Sequence, residues 1–126
     1  MTSSQFIGQK LNASTDVTDI AGTRIYFGVI PEEQETLPAI NYLYISAPNL
    51  WGQTERERFQ ISCRAENPET AKELAFQVRR TFNNFQGTVG TFDVQNCWYE
   101  EQQMIIEDNE AYHIPVDIFV LYYRTT

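Results

Sequence analysis

A predicted strand over residues 55–65 alternates between polar and apolar side chains with a strict period of two from Arg58 onward, which constrains the fold of this 126-residue chain more than any other feature. One set is apolar: Phe59, Ile61, Cys63 and Ala65. The other set is polar: Arg56, Arg58, Gln60, Ser62 and Arg64. Because successive side chains of a strand point to opposite faces, the pattern predicts a half-buried strand whose apolar set enters a core.

A helix is predicted directly after this strand. Asn67 is a suitable N-cap, Pro68 fits the first helical position, and Glu69 favours the positive end of the helix dipole. Apolar side chains then recur at helical spacing: Ala71, Leu74, Ala75, Val78, Phe82 and Phe85. Gly87 is predicted to cap the C-terminus. The apolar stripe predicts that this helix packs on the sheet.

The remaining patterns complete the order α, β, β, β, α, β, β. A short first helix is predicted over residues 3–12, because Phe6, Ile7 and Leu11 recur at helical spacing. Residues 13–22 are rich in turn formers and predict an irregular segment. Segments rich in β-branched and aromatic residues predict the other strands, over residues 24–30, 39–46, 91–106 and 111–124.

This order predicts a single α+β domain over residues 1–126. Strands joined by hairpins, with one strong helix between the third and the fourth, favour a mostly antiparallel sheet of about five strands with two helices packed on one face. The first ten residues lack a basic stretch followed by an apolar run, and the longest apolar run spans only residues 118–123. Neither a signal peptide nor a membrane span is therefore predicted.

The acidic balance of the chain limits its partners. The chain has seventeen Asp and Glu residues and nine Lys and Arg residues, which gives a net charge of −8. Repulsion from phosphate groups argues against nucleic acid as a tightly held ligand, although DNA can still slide past such a surface.

Residues suited to catalysis or metal binding are scarce. His113 is the single histidine, and in a strand Asp117 would lie about 13 Å away, beyond hydrogen-bond reach. Cys63 and Cys97 are isolated, so local spacing offers no zinc site, and we expect them to be buried, reduced thiols. The sequence predicts that the protein is not an enzyme and holds no cofactor or metal.

Two features exceed what a core requires. The arginine stripe, defined as Arg56, Arg58 and Arg64, lies on the polar face of the predicted strand. Its guanidinium groups could pair with carboxylates of a neighbouring subunit or remain in solvent. Leu50 and Trp51 occupy a predicted loop tip, where a large aromatic residue is often an interface anchor. These residues are the candidate interface.

Several segments occur in an order and spacing that we compare with a known family. They are Gly22-Thr-Arg-Ile-Tyr-Phe-Gly-Val-Ile-Pro31, Leu37-Pro-Ala-Ile-Asn-Tyr42, Arg58-Phe-Gln-Ile-Ser-Cys-Arg-Ala65, Ala71-Lys-Glu-Leu-Ala-Phe-Gln-Val-Arg79, and a closing strand that contains Asp117 and ends in Tyr122-Tyr-Arg124. Together they resemble the tail-completion, or tail-terminator, proteins of long-tailed bacteriophages. The Gly-x-Arg-Ile-Tyr segment is the most distinctive of them.

The resemblance implies a structural virion protein of the tail and neck, assembled in the host cytoplasm. Such a protein forms a homohexameric ring that caps the tail tube and offers a docking face to the head-closure or connector protein. DNA passes through the lumen without tight binding, since carboxylates repel it. In such a ring the arginine stripe of one subunit would meet an acidic segment of the next, with Glu32, Glu33 and Glu35 as candidates.

Two alternatives stay open at the level of sequence. One is a head-closure or other neck connector protein, which would bind the portal side rather than the tail tube. The other belongs to a different class, a small ligand- or nucleic-acid-binding module. Salt-dependent binding to single strands would favour the nucleic-acid version. The chain also departs from the family before Gly22, where a longer apolar helix is usual and this segment is short and polar.

Overall fold

The computed structural model describes residues 1–30, 36–46, 54–107 and 111–123. Three helices and seven strands lie in these ranges. The helices are α1 (Ser3–Ala13), α2 (Thr15–Ala21) and α3 (Pro68–Phe82). The strands are β1 (Ile25–Phe27), β2 (Ala39–Ser46), β3 (Thr54–Ala65), β4 (Gly87–Val89), β5 (Phe92–Glu101), β6 (Ile105–Ile106) and β7 (Tyr112–Tyr123).

The strands form one curled sheet in the order β1-β2-β3-β7-β5-β4, and β6 pairs with β7 beyond the end of β5. β1 runs parallel to β2, and every other described pair is antiparallel. The α+β class is therefore confirmed, while the predicted counts of five strands and two helices need correction. β3 and β7 are the two long central strands, and their register places Phe59 opposite Ile118 and Ile61 opposite Val116.

The core lies between the three helices and one face of the sheet. We call this face of the sheet the helix face. Phe59, Ile61, Cys63 and Ala65 are fully buried there, as the alternation predicts. Phe6 of α1 stacks on Phe92 with ring centroids 5.2 Å apart. Such aromatic contacts contribute about 0.5–1.5 kcal/mol beyond the buried area. The helix after Asn67 is confirmed, with the Asn67 side chain accepting a hydrogen bond from Thr70 N at 2.9 Å.

Three boundaries differ from the prediction. Residues 13–22 contain α2, capped by Ser14 rather than left irregular, because its hydroxyl accepts from the backbone of Val17. α3 ends at Phe82, and Asn84 adopts a positive φ of 62°, so Gly87 opens β4 instead of capping the helix. The predicted strand over residues 91–106 is divided into β5 and β6, because residues 102–104 leave the ladder.

The Gly-x-Arg-Ile-Tyr segment is the connection that turns α2 into β1. Gly22 ends α2 with φ 61° and ψ −132°, a conformation that a side chain disfavours. Two residues later, Arg24 Nε donates to the carbonyl of Pro38 at 2.7 Å and joins the start of β1 to the start of β2. This bond holds the start of β2 beside the start of β1, in agreement with the parallel register of the two strands.

Helix α1 begins with a capping box, in which the side chains of Thr2 and Gln5 exchange hydrogen bonds with each other's backbone N–H groups. Its buried face contains Phe6, Ile7 and Leu11, as their spacing predicts, and also Gly8. No helix in the described ranges is long and apolar enough to cross a membrane.

Candidate interaction surface

The second face of the sheet carries no helix in the described ranges, and we call it the open face. It presents the polar set of β3 beside the alternate residues of β7 and β5. Arg58 lies opposite Phe119, Gln60 opposite Asp117, and Arg64 opposite His113. A sheet of this kind normally alternates apolar residues inside with polar residues outside. Here the outer set mixes charged, amide and aromatic side chains.

Asp117 is the buried charge of the open face, with no exposed surface. Its carboxylate accepts from Arg58 Nη2 at 2.5 Å and from Gln102 Nε2 at 2.8 Å, and it lies 3.5 Å from Gln60 Nε2. A carboxylate taken out of water is costly unless a cation and hydrogen bonds compensate it. Gln102 is fixed in turn, because its N–H donates to the carbonyl of Pro115 at 2.9 Å. This cluster therefore stabilises the sheet internally.

Arg64 forms a second polar cluster nearer the β6 end of the sheet. Its Nη1 forms an ion pair with Glu107, and its Nε donates to Asn41 Oδ1 at 3.1 Å. His113 lies across the ladder from Arg64, with Nδ1 4.0 Å from Glu107 Oε1. Burial and the nearby Arg64 cation lower the pKa of His113, and the Glu107 carboxylate opposes this only in part.

An aromatic pair occupies the middle of the open face. Trp98 and Phe119 stack with ring planes at 5° and centroids 5.5 Å apart. The guanidinium carbon of Arg58 lies 5.9 Å from the centre of the Phe119 ring. Trp and Arg are enriched among the residues that carry most interface binding energy, and Phe is enriched in interface composition. The three side chains of this cluster are half-buried and of these types.

The predicted interface residues have different surroundings. Arg58 and Arg64 are paired within the chain, while Arg56 is exposed at the end of the stripe. The five other candidates lie outside the described residues: Glu32, Glu33, Glu35, Leu50 and Trp51. A role for any of these eight residues between subunits stays a prediction.

Sequence reasoning missed Asp117 as the acceptor of the arginine stripe. The available signal was a lone carboxylate within the apolar run of the last strand, at a position of the polar face. It also missed Glu57, which lies on the helix face and is only 8% exposed. Glu57 accepts from the hydroxyls of Ser3 and Tyr122, and burial together with this bond raises the pKa of Tyr122.

Reactive groups are few in the described part of the chain. No three metal-binding side chains come together there. Both cysteines are free and buried, and burial raises the pKa of Cys97 to about 12 and that of Cys63 further. Among the described residues, the open face carries a cleft of about 330 Å³ beside Leu43 and Arg64 and another of about 570 Å³ beside Gln60 and His113. Residues of the polar clusters line both clefts together with apolar side chains, such as Leu37 in the first and Ile105 in the second.

Solved structures contain the same fold. One chain of the virion of a native gene transfer agent particle superimposes with a TM-score of 0.67 and 17% sequence identity, over 93% of this chain and 91% of that chain. A second solved chain superimposes with a TM-score of 0.61 and 11% identity, over 99% of this chain and 100% of that chain. No protein-family model and no curated protein matches this sequence. At these identities the likeness shows a shared fold.

Proposed function

We propose that this protein is a structural component of a bacteriophage-type virion, and that within it the protein acts as a tail terminator. The observation that supports this is the fold shared with a chain of a gene transfer agent virion, a phage-like particle. The match extends over more than nine tenths of both chains, so it concerns the whole fold rather than one common motif. The resemblance in the sequence segments points to the same class independently.

In this proposal the protein is a ring subunit and not an enzyme, and it needs no cofactor. Two ion pairs of the open face support a structural role, because each joins an arginine to a carboxylate within the chain. Arg58 neutralises the buried Asp117, and Arg64 neutralises Glu107. Charges held in this way fix the shape of a surface and leave few groups free to exchange protons with a substrate.

The net charge of −8 suits a ring around a DNA channel. A wall with excess carboxylates raises the free energy of bound phosphate and lowers the residence time of DNA. The proposed partners are further copies of this chain, the tail-tube protein, and the head-closure or connector protein. The proposed location is the tail and neck of the virion, after assembly in the host cytoplasm.

Native mass spectrometry with negative-stain microscopy tests this proposal. The purified protein is measured alone and with the tail-tube protein of the same virus. We expect closed rings, of six subunits by the resemblance, with a central hole. A monomer under both conditions would remove the ring proposal. Rings that bind portal-side proteins and ignore tail tube would replace the tail terminator with a neck connector.

A further inference from the structure

The first edge of the sheet is β1. Gly28 N donates to Tyr42 O and Ile40 N donates to Arg24 O, both at 2.9 Å, so the parallel ladder uses the even-numbered residues of this segment. The backbone groups of Ile25 and Phe27 therefore point away from β2. No described strand pairs with them, and Ile25 N donates locally to Thr23 O at 2.9 Å, so Phe27 is the residue whose backbone is offered to a neighbour. Because Ile25 and Phe27 lie opposite Ile40 and Tyr42, which contribute to the core, their side chains are on the helix face.

The second edge is the later half of β5. β4 covers only the first residues of β5, up to Val94. Cys97 O accepts from Asn84 N at 2.9 Å, which shows that the backbone of Cys97 points away from β7. By the same alternation, the backbone groups of Tyr99 and Glu101 point outward, and no described strand pairs with them. Tyr99 lies opposite the buried Ile118, so its side chain is also on the helix face.

A groove of about 200 Å³ runs beside this second edge on the helix face. It is lined by Phe76, Arg79, Arg80, Asn83 and Tyr99. The guanidinium carbon of Arg79 lies 5.6 Å from the ring centres of both Phe76 and Tyr99, and an ion pair with Glu101 holds it there. An aromatic side chain placed in this groove would contact two aromatic rings and a guanidinium plane. Such contacts are favourable for a ring of any partner.

The first edge presents a side chain of that kind. Phe27 is 59% exposed, which is unusual for a phenylalanine, and it stacks on Tyr42 with centroids 5.1 Å apart. Uncharged apolar residues on the unpaired edge of a strand are a template for association with another chain. Phe27 and the Tyr99 groove therefore offer complementary chemistry at opposite edges of one sheet.

We propose that β1 of one copy of this chain pairs with the later half of β5 of the next copy, with Phe27 seated in the groove beside Tyr99. This contact rests on the proposed ring and names the surfaces that build it. β1 and β5 run in opposite directions in the sheet, so a neighbour that continues the sheet in the same sense pairs antiparallel. Directly opposed, hydrogen-bonded residues of such a pair put their side chains on one face.

The alternation of both edges satisfies this condition. The residues whose backbone points outward, Phe27 in β1 and Tyr99 in β5, both carry their side chains on the helix face. The added strand therefore keeps the helices of both copies on the same side, which a mismatch of one residue would prevent. A second copy is the fitting occupant because each chain supplies both halves. Two different patches that meet head to tail close into a ring when the rotation allows it.

Cysteine pairing between variants tests this contact. Hydrogen-bonded residues on antiparallel strands have Cα atoms about 5.5 Å apart, within the range that a disulfide spans. F27C and Y99C proteins are mixed and oxidised. We expect a covalent dimer in the mixture and none from either variant alone, while the double variant F27C/Y99C gives a ladder of covalent oligomers. The native thiols Cys63 and Cys97 are buried and do not compete.

A control mixture replaces F27C with a cysteine elsewhere, on β2. I45C, at the register shift of β2 and 41% exposed, should give no covalent dimer with Y99C. Equal yields with I45C and F27C would overturn the inference.

A second measurement does not depend on disulfide geometry. F27D places a charge in the proposed groove contact, and I45D places one at the exposed register shift of β2 as the control. We expect F27D to lose rings at concentrations where the wild type and I45D form them, with circular dichroism confirming that F27D is folded. If the wild type and F27D both form rings, and F27C and Y99C form no covalent dimer, this contact is rejected while the proposed function stands. A wild-type monomer under all conditions would reject both.

Discussion

Arg58 on β3 and Asp117 on β7 form an ion pair with an Nη2–Oδ2 distance of 2.5 Å, in which the carboxylate is fully buried and the arginine side chain keeps 36% exposure. The pair spans the two long central strands diagonally, since Gln60 is the residue directly opposite Asp117. Both residues belong to the open face, where the carboxylate is buried and the guanidinium group reaches solvent. The ion pair therefore stabilises the sheet, and the exposed part of Arg58 can still contact a partner.

Asp117→Ala should lower the free energy of unfolding by about 2–4 kcal/mol, because it leaves the donors of Arg58 and Gln102 without their acceptor. Urea unfolding followed by tryptophan fluorescence measures the change. Glu100→Ala is the control, since Glu100 lies opposite Asp117 on the other neighbouring strand and is exposed. We expect less than about 0.5 kcal/mol from the control. Equal losses in the two variants would show that Asp117 has no special structural role.

Gly22→Ala should destabilise the protein by about 1–3 kcal/mol, because alanine resists the φ of 61° and ψ of −132° at the end of α2. Thermal unfolding by circular dichroism measures it. Thr23→Ala, at the exposed neighbouring position, is expected to leave the midpoint nearly unchanged. A Gly22→Ala protein as stable as the wild type would mean that the turn accepts another conformation.

His113 should make stability depend on pH on the acidic side. Its pKa is lowered in the folded protein, chiefly by burial, so below about pH 6.5 the unfolded chain takes up a proton that the folded chain does not. Stability therefore falls as the pH decreases through this window, by at most about 1.4 kcal/mol per pH unit from this residue. Urea midpoints at pH 7.5 and 5.5 measure it. Between these two pH values the urea midpoint should decrease less in His113→Gln than in the wild type. An equal or larger decrease in the variant would show that His113 is not the source of the pH dependence.

Cys63 and Cys97 should not react with a chromogenic disulfide reagent at pH 8 while the protein is folded. Both thiols are buried, and burial raises the pKa of Cys97 to about 12, so neither access nor thiolate is available. After unfolding in urea, two thiols per chain should react. Rapid reaction of the folded protein would indicate that the core opens near one of them.

The sequence predicted the parts of the fold that depend on strong periodicity. The alternation around Ile61 and the cap at Asn67 specify a face and a helix start locally, and both are present. Helix α2 was missed because its seven residues carry few apolar side chains, and its stability comes from packing against α1 and α3. The parallel direction of β1 was missed because it depends on contacts between segments, such as that of Arg24 with Pro38.

The candidate surface was predictable only in part. The arginine stripe was visible in the pattern of β3, but Asp117 belongs to β7 and Glu107 follows β6, and only the register of the sheet brings them near. The exposure of Phe27 and the groove beside Tyr99 could not be read from composition, because aromatic residues in strand segments are usually in the core. The sheet order places these two residues at unpaired edges.

Gold-labelled protein added to growing tail tubes of the same virus tests whether this protein ends tail-tube growth. Electron microscopy scores where the label lies and how long the tubes become. We expect label at a single end of each tube and tubes that stop elongating, with both effects lost in F27D if the ring is required for capping. Label absent from the tubes or spread along their length, with elongation unchanged, would contradict a role in tail termination.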